Sequence, residues 1–180
     1  MKTNIFILAI FLFVSQVAYS QLFSTQSGIT SFFSKTPLED ITAVNSNVSA
    51  ILNTSTGEIA VRMNMNQFNF PNKLMQEHFN ENYIESDEFP TGTFTGKINE
   101  EIDFKKTGIF EVSAKGILTL HGVSKEKVIK GKLNISKTGI SLDSDFEVML
   151  VDYKIDVPKI VWEKIAEKIS VRNSFSLMKK

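Results

Sequence analysis

Two histidines, His78 and His121, are the natural carriers of any acid–base or metal chemistry in this 180-residue chain, because no cysteine accompanies them. His121 lies in His121-Gly122-Val123-Ser124-Lys125, a tight reversal. Its ring could donate to a polar headgroup or shuttle a proton. No Ser or Cys nucleophile context surrounds it, so it reads as a turn histidine tying its ring to a nearby backbone carbonyl. His78 follows Glu77 in a helical pattern, and adjacent helical side chains diverge, which works against an acid–base pair. His78 shares a helix face with Asn82 instead. Two histidines without short ligand spacing do not make a tetrahedral metal site. The acids Asp143, Asp145, Asp152 and Asp156 are scattered and no Asp-x-Asp-x-Asp-Gly loop exists, so calcium is not indicated. Lys105-Lys106, Lys125-Glu126-Lys127 and Lys179-Lys180 read as solvated loop faces, or as point charges for a phosphate or carboxylate headgroup. No catalytic residue, metal ligand or cofactor is therefore assigned. Met63, Met65, Met75 and Met149 are soft side chains suited either to core packing or to an adaptable ligand wall.

The elements that would position these residues begin after residue 20. Lys2, the uncharged apolar run from Ile5 to Val14, and Ala18-Tyr19-Ser20 have the order of a secretory signal peptide, with Gln21 as the expected mature N-terminus. The run is too short to span a bilayer, which takes about 20 apolar residues. Residues 21–180 are then one domain of secreted or periplasmic location, with no membrane-spanning helix. Removing Lys2 leaves 19 basic residues against 20 acidic ones. A nearly neutral chain has no electrostatic reason to seek nucleic acid. Without disulfides the fold must rest on burial and sheet hydrogen bonding.

Beyond residue 20 the prevailing hydrophobic period is two. Ile59, Val61, Met63 and Met65 alternate with polar or small neighbours. So do Phe110, Val112, Ala114, Gly116, Leu118 and Leu120, a pattern interrupted by Ile117. Phe146, Val148 and Leu150 repeat it, as do Ile169, Val171, Phe175 and Leu177. Each is a strand with one dry and one wet face. Less regular strands are expected over 22–33, 44–53, 92–103, 126–137 and 139–144, the last continuous with 145–151. Turn chemistry at 53–57, 106–108, 121–125 and 137–139 makes neighbours antiparallel. Helices are expected over 72–85 and 159–167. Eight long strands as an open sheet would leave unpaired edges. Closure into an all-β antiparallel barrel removes them and encloses a space that side chains fill or a ligand occupies.

Four stretches resemble the YceI family. Gly116-Ile117-Leu118-Thr119-Leu120-His121-Gly122-Val123-Ser124-Lys125 is similar to its Leu-Thr-hydrophobic-His-Gly-Val-Thr-Lys signature. Residues 79–90 resemble its helix-to-strand junction, 146–155 its Asp-Tyr-aliphatic strand end, and 33–41 its N-terminal region. The resemblance implies an extended eight-stranded lipocalin-like barrel with one or two short helices. It also implies an apolar tunnel for an isoprenoid, fatty-acid derivative or similar long-chain amphiphile. Many members carry an Arg/Asp/His-containing helix start near the mouth; here that stretch reads Leu74-Met75-Gln76-Glu77-His78.

The expected function is a binding protein, monomeric or homodimeric, with Met63, Met65, Phe79, Phe94, Leu118, Leu120, Phe146, Val148 and Phe175 as the tunnel wall. The alternatives are a small-lipid-modifying enzyme on the same barrel, with His78 and His121 as its best candidates, and an envelope structural or partner-binding protein. The last would use Ile160, Val161, Trp162 and Ile165 as an exposed apolar patch.

Overall fold

A computed structural model describes residues 21–35, 40–156 and 166–180. Eight strands follow one another as β1 (Leu22–Ser34), β2 (Ile41–Asn53), β3 (Glu58–Asn64), β4 (Thr91–Ile98), β5 (Gly108–Leu120), β6 (Val123–Ile135), β7 (Ile140–Met149) and β8 (Lys168–Lys179). Every strand is antiparallel to its chain neighbours, and β8 returns to pair with β1, so the sheet closes on itself. Closure leaves no free edge at the ends of the strand order, as a sheet of this size requires. The expected signal peptide, the whole patch Ile160, Val161, Trp162 and Ile165, and most of the second expected helix lie outside the described residues.

The ends of the barrel are built differently. At one end the connections are short: 54–57, 99–107 and 136–139. Asn53 Oδ1 accepts from Ser55 N at 3.0 Å and Gly57 takes φ +74°, which turns β2 into β3. At the other end β5 turns into β6 through His121-Gly122 alone, with Leu120 opposite Val123. Their φ angles, +47° and +69°, are those of a type I′ turn, whose twist matches the flanking strands. That same end carries the long excursion between β3 and β4, with helix α1 (Lys73–His78) running into a π turn at Phe79–Tyr83. Asn72 caps the helix, its Oδ1 accepting from Leu74 N at 2.9 Å.

Some boundaries differ from those the alternation predicts. β4 stops at Ile98 rather than near 103. Glu100 there accepts from both Ser113 N and Ser113 Oγ, at 2.7 and 2.8 Å, and Asp103 accepts from Lys105 N at 3.0 Å. These carboxylates draw backbone donors into turns instead of a ladder. Met65 leaves β3 to open a 3₁₀ turn, and Leu150 does the same after β7. Met149 is a plainer correction: it is half-exposed and points outward, because its neighbour Val148 takes the inward position. Ile117, the break in the β5 pattern, is an outward-facing exposed residue. β1 carries bulges around Gly28, where a Cβ would meet the Phe175 ring at 2.6 Å.

The core runs the length of the barrel. At the short-loop end Leu52, Ile59, Ile98, Leu133, Ile140 and Leu177 are all buried. At the other end many inward apolar residues, Phe32, Phe70, Phe79, Leu120, Phe146 and Val171 among them, are only partly buried. The reason lies in the hollow they face.

Candidate functional site

The alternation that makes each strand half-dry points every second side chain inward, and at the long-loop end these side chains do not meet across the axis. They surround a cavity of about 370 Å³, within the range of sites for small molecules. Its wall is almost wholly apolar. Met63, Met65, Leu118, Leu120, Val148, Ile169 and Val171 come from the barrel, and Leu74, Met75, His78, Phe79 and Tyr83 from the α1 segment above it.

Four phenylalanines form one side of this mouth. Phe32 stands 5.2, 5.6 and 5.5 Å, centroid to centroid, from Phe68, Phe70 and Phe79. Phe79 in turn lies 5.9 and 5.1 Å from Phe68 and Phe70. These are favourable separations for tilted and edge-on rings. The backbone places them. Val44 N donates to Asn69 O and Asn69 N to Val44 O, at 3.1 and 2.9 Å, clipping Asn69 against β2. Gln76 Oε1 then accepts from Phe70 N at 3.3 Å and ties α1 to the same segment.

A second, smaller cavity of about 60 Å³ lies deeper in the barrel, and Met63, Leu118, Leu120 and Phe146 form walls of both. Of the residues expected from sequence, Met65, Phe79 and Val148 face the larger space and Phe94 and Phe175 the smaller one. Sequence reasoning missed Phe32, Phe68 and Phe70, although Phe68-Asn69-Phe70 carries the same alternation in miniature. It also missed Thr30, Ser144 and Asn173, polar residues on the inner face, which show in the sequence only as gaps in an apolar pattern.

The histidines take different roles. His121 Nδ1 lies 3.1 Å from the Tyr153 carbonyl and Nε2 2.6 Å from Glu85 Oε2, with the ring edge-on to Phe89 at 4.3 Å. Both ring nitrogens are thus engaged, one by backbone and one by a side chain. The three non-glycine residues of positive φ among the described residues, Glu85, His121 and Lys154, all fall at this junction. His121 is thus a clasp that joins the β5–β6 turn to the segments following α1 and β7. The backbone carbonyl of the turn reading is there, with Glu85 as an additional partner. His78 lines the rim of the large cavity, and Glu77 does not. Burial pushes the Tyr83 and Tyr153 hydroxyls above their ordinary range, with the nearby Asp152 charge adding to the effect on Tyr153. Lys127 Nζ sits 5.7 Å over the Phe146 ring. Among the described residues no cluster of His, Asp and Glu is placed to hold a metal ion, and no helix is long and apolar enough to cross a membrane.

Fold and hollow together define a class: a closed, lipocalin-like antiparallel barrel with an apolar internal cavity. The model of the YceI-like domain matches residues 15–177, and the chain belongs to that family. Solved structures share the fold at low identity. A polyisoprenoid-binding domain from Saccharophagus degradans, implicated in plant cell wall breakdown, superposes with a TM-score of 0.75 at 14% identity, covering 89% of this chain and 99% of that one. BcnA of Burkholderia cenocepacia gives 0.70 at 11% identity over 83% and 95%. The YceI protein of Campylobacter jejuni gives 0.61 at 19% identity over 76% and 83%. No curated protein matches the chain.

Proposed function

We propose that this protein is a secreted or periplasmic carrier that holds a long apolar or amphiphilic molecule, isoprenoid or fatty-acid-like, inside its barrel. The observation that carries the reading is the 370 Å³ hollow walled by Phe, Met and aliphatic side chains at the long-loop end of the barrel. Such a hollow leaves the side chains lining it without partners on one face, and a hydrocarbon chain supplies them. Each methylene withdrawn from water contributes about 0.8 kcal/mol, so a chain of modest length is enough for tight binding. The likeness to a polyisoprenoid-binding domain supports the ligand class. α1 and the four-phenylalanine cluster would cover the chain where it enters. The test is to purify the protein from its native source without detergent, extract it with organic solvent and weigh what is released. A long-chain species near one equivalent supports the reading. An empty extract, together with no uptake of added long-chain probes, contradicts it.

A further inference from the structure

One level of the barrel interior breaks the apolar rule. Asn45, Thr30, Asn173 and Ser144 lie directly opposite one another on β2, β1, β8 and β7, and all four face inward. Their exposures are 0%, 1%, 8% and 8%. The row continues onto β6 at Gly131, the partner of Ser144. A Cβ there would meet the Asp143 carbonyl oxygen at 2.5 Å and the Ser144 Cβ at 3.2 Å, so the position carries no side chain. Gly131 and Ser144 are also the last paired residues of β6 and β7 before the two strands part toward the mouth.

The hydrogen bonds along this row have a direction. Thr30 Oγ1 donates to Asn173 Oδ1 at 2.7 Å, and Asn173 Nδ2 donates to Ser144 Oγ at 3.0 Å. Asn45 is satisfied separately, donating to the Asn64 carbonyl and accepting from Asn47 N, both at 2.9 Å. The relay therefore ends on Ser144 with its hydroxyl hydrogen unspent, since no acceptor among the described residues takes it. Ser144, Asn173 and Gly131 line the 60 Å³ cavity, directly below the large one. A buried donor without an acceptor is costly, so this hydrogen calls for an oxygen inside the barrel.

We propose that the Thr30–Asn173–Ser144 row is a binding site for an uncharged acceptor oxygen, a ketone, ester or ether oxygen, carried on the chain of the bound molecule. This rests on the carrier reading and adds to it that the preferred ligand is not a plain hydrocarbon chain. An uncharged group fits because the residues lining the small cavity are neutral apart from Lys130, whose side chain is exposed. A carboxylate or phosphate there would give up its hydration with no fully buried cation beside it, since Lys130 is exposed and Lys127, near the Phe146 ring, is only partly buried.

The test compares octadecanoate with a series of oxo-octadecanoates, identical in chain length and differing in the position of one ketone, by competition for a fluorescent long-chain probe. The expected result is that at least one isomer binds about fivefold or more tightly than octadecanoate, the scale of one net hydrogen bond. Ser144→Val, which removes the hydroxyl and covers the Asn173 amide with methyl groups, should abolish that preference, so that on the variant no oxo isomer binds more tightly than octadecanoate does on the same variant. The comparison on the unaltered protein needs no variant to fold. Equal affinity for every isomer, the outcome if water alone meets the hydroxyl, overturns the inference and leaves the carrier reading standing. A preference that survives Ser144→Val also overturns it. If no chain of either kind binds, the carrier reading fails, and this inference with it.

Discussion

The two ends of this barrel are made of the same strands with the same alternation, yet one is packed shut and the other is hollow. At the short-loop end Leu52, Leu133 and Leu177 are essentially inaccessible, and Phe23, opposite Leu52, and Phe110, opposite Leu133, pack against the same core. At the long-loop end the inward residues include phenylalanines that stack on one another along one wall, Phe32 with Phe68, Phe70 and Phe79. Those rings share the wall of the 370 Å³ hollow with Met65, Leu120 and Val148. The long β3–β4 connection supplies the rest of the enclosure, with α1 and the His121 clasp standing where the turns at 54–57 and 136–139 and the 99–107 loop close the opposite end. Period two decides which residues face inward. Side-chain shape and loop length decide whether the inside is full.

That contrast can be broken by experiment. The largest effect is expected from Leu133→Ala, which opens a void among packed neighbours and should cost about 2–5 kcal/mol. Leu120→Ala, at the rim of an existing hollow, gives up fewer contacts and should cost less than half as much. Equal losses in urea unfolding would mean that the open end is as tightly packed as the closed one. Next in size is Met63→Trp. It fills the junction of the two cavities and should weaken long-chain binding at least tenfold while the fold survives, whereas overfilling the packed end with Ile140→Trp should cost about 1–3 kcal/mol of stability. Undiminished binding by Met63→Trp would place the chain elsewhere.

His121→Ala removes bonds to Tyr153 and Glu85 and should cost about 1–2 kcal/mol. It should also raise amide hydrogen exchange around residues 85 and 153 more than in the short-loop turns. Uniform exchange throughout would deny the clasp its role. The smallest effect concerns alkali. Tyr83 and Tyr153 hold their protons in the fold above the ordinary value of 10.0, because burial disfavours phenolate. Their contribution is fully present below about pH 10 and is lost as pH rises through the higher folded-state value. Melting temperature should therefore fall above pH 10, and Tyr153→Phe should flatten that fall while sparing the backbone carbonyl that His121 engages.

Much of the architecture is written in residue order. The alternations through Val61, Leu118, Val148 and Phe175 identify their inward faces, and His121-Gly122 announces a two-residue hairpin because glycine readily takes positive φ. The helix over 72–85 is legible from spacing, although its second half relaxes into a π turn. What stays hidden depends on three-dimensional registry. Nothing local in Thr30, Asn173 or Ser144 says that they stand side by side. Their sequence separation is large, and only barrel closure brings β1 against β8. The end of β4 is hidden too, since Glu100 gains its Ser113 donors only once β5 lies alongside. The size of a hollow is likewise a property of packed volumes, which periodicity does not carry.

Whether a chain occupies one half of this barrel and not the other is decided by a crystal structure of the protein loaded with a long-chain amphiphile. A chain held at the long-loop end gives continuous density from the Phe79 ring past Val148 and Phe146 toward Ser144, and none between Leu133 and Leu177. Density on the outer face of the sheet, or an interior that collapses around Phe32 and Phe79 and excludes the chain, would contradict that placement.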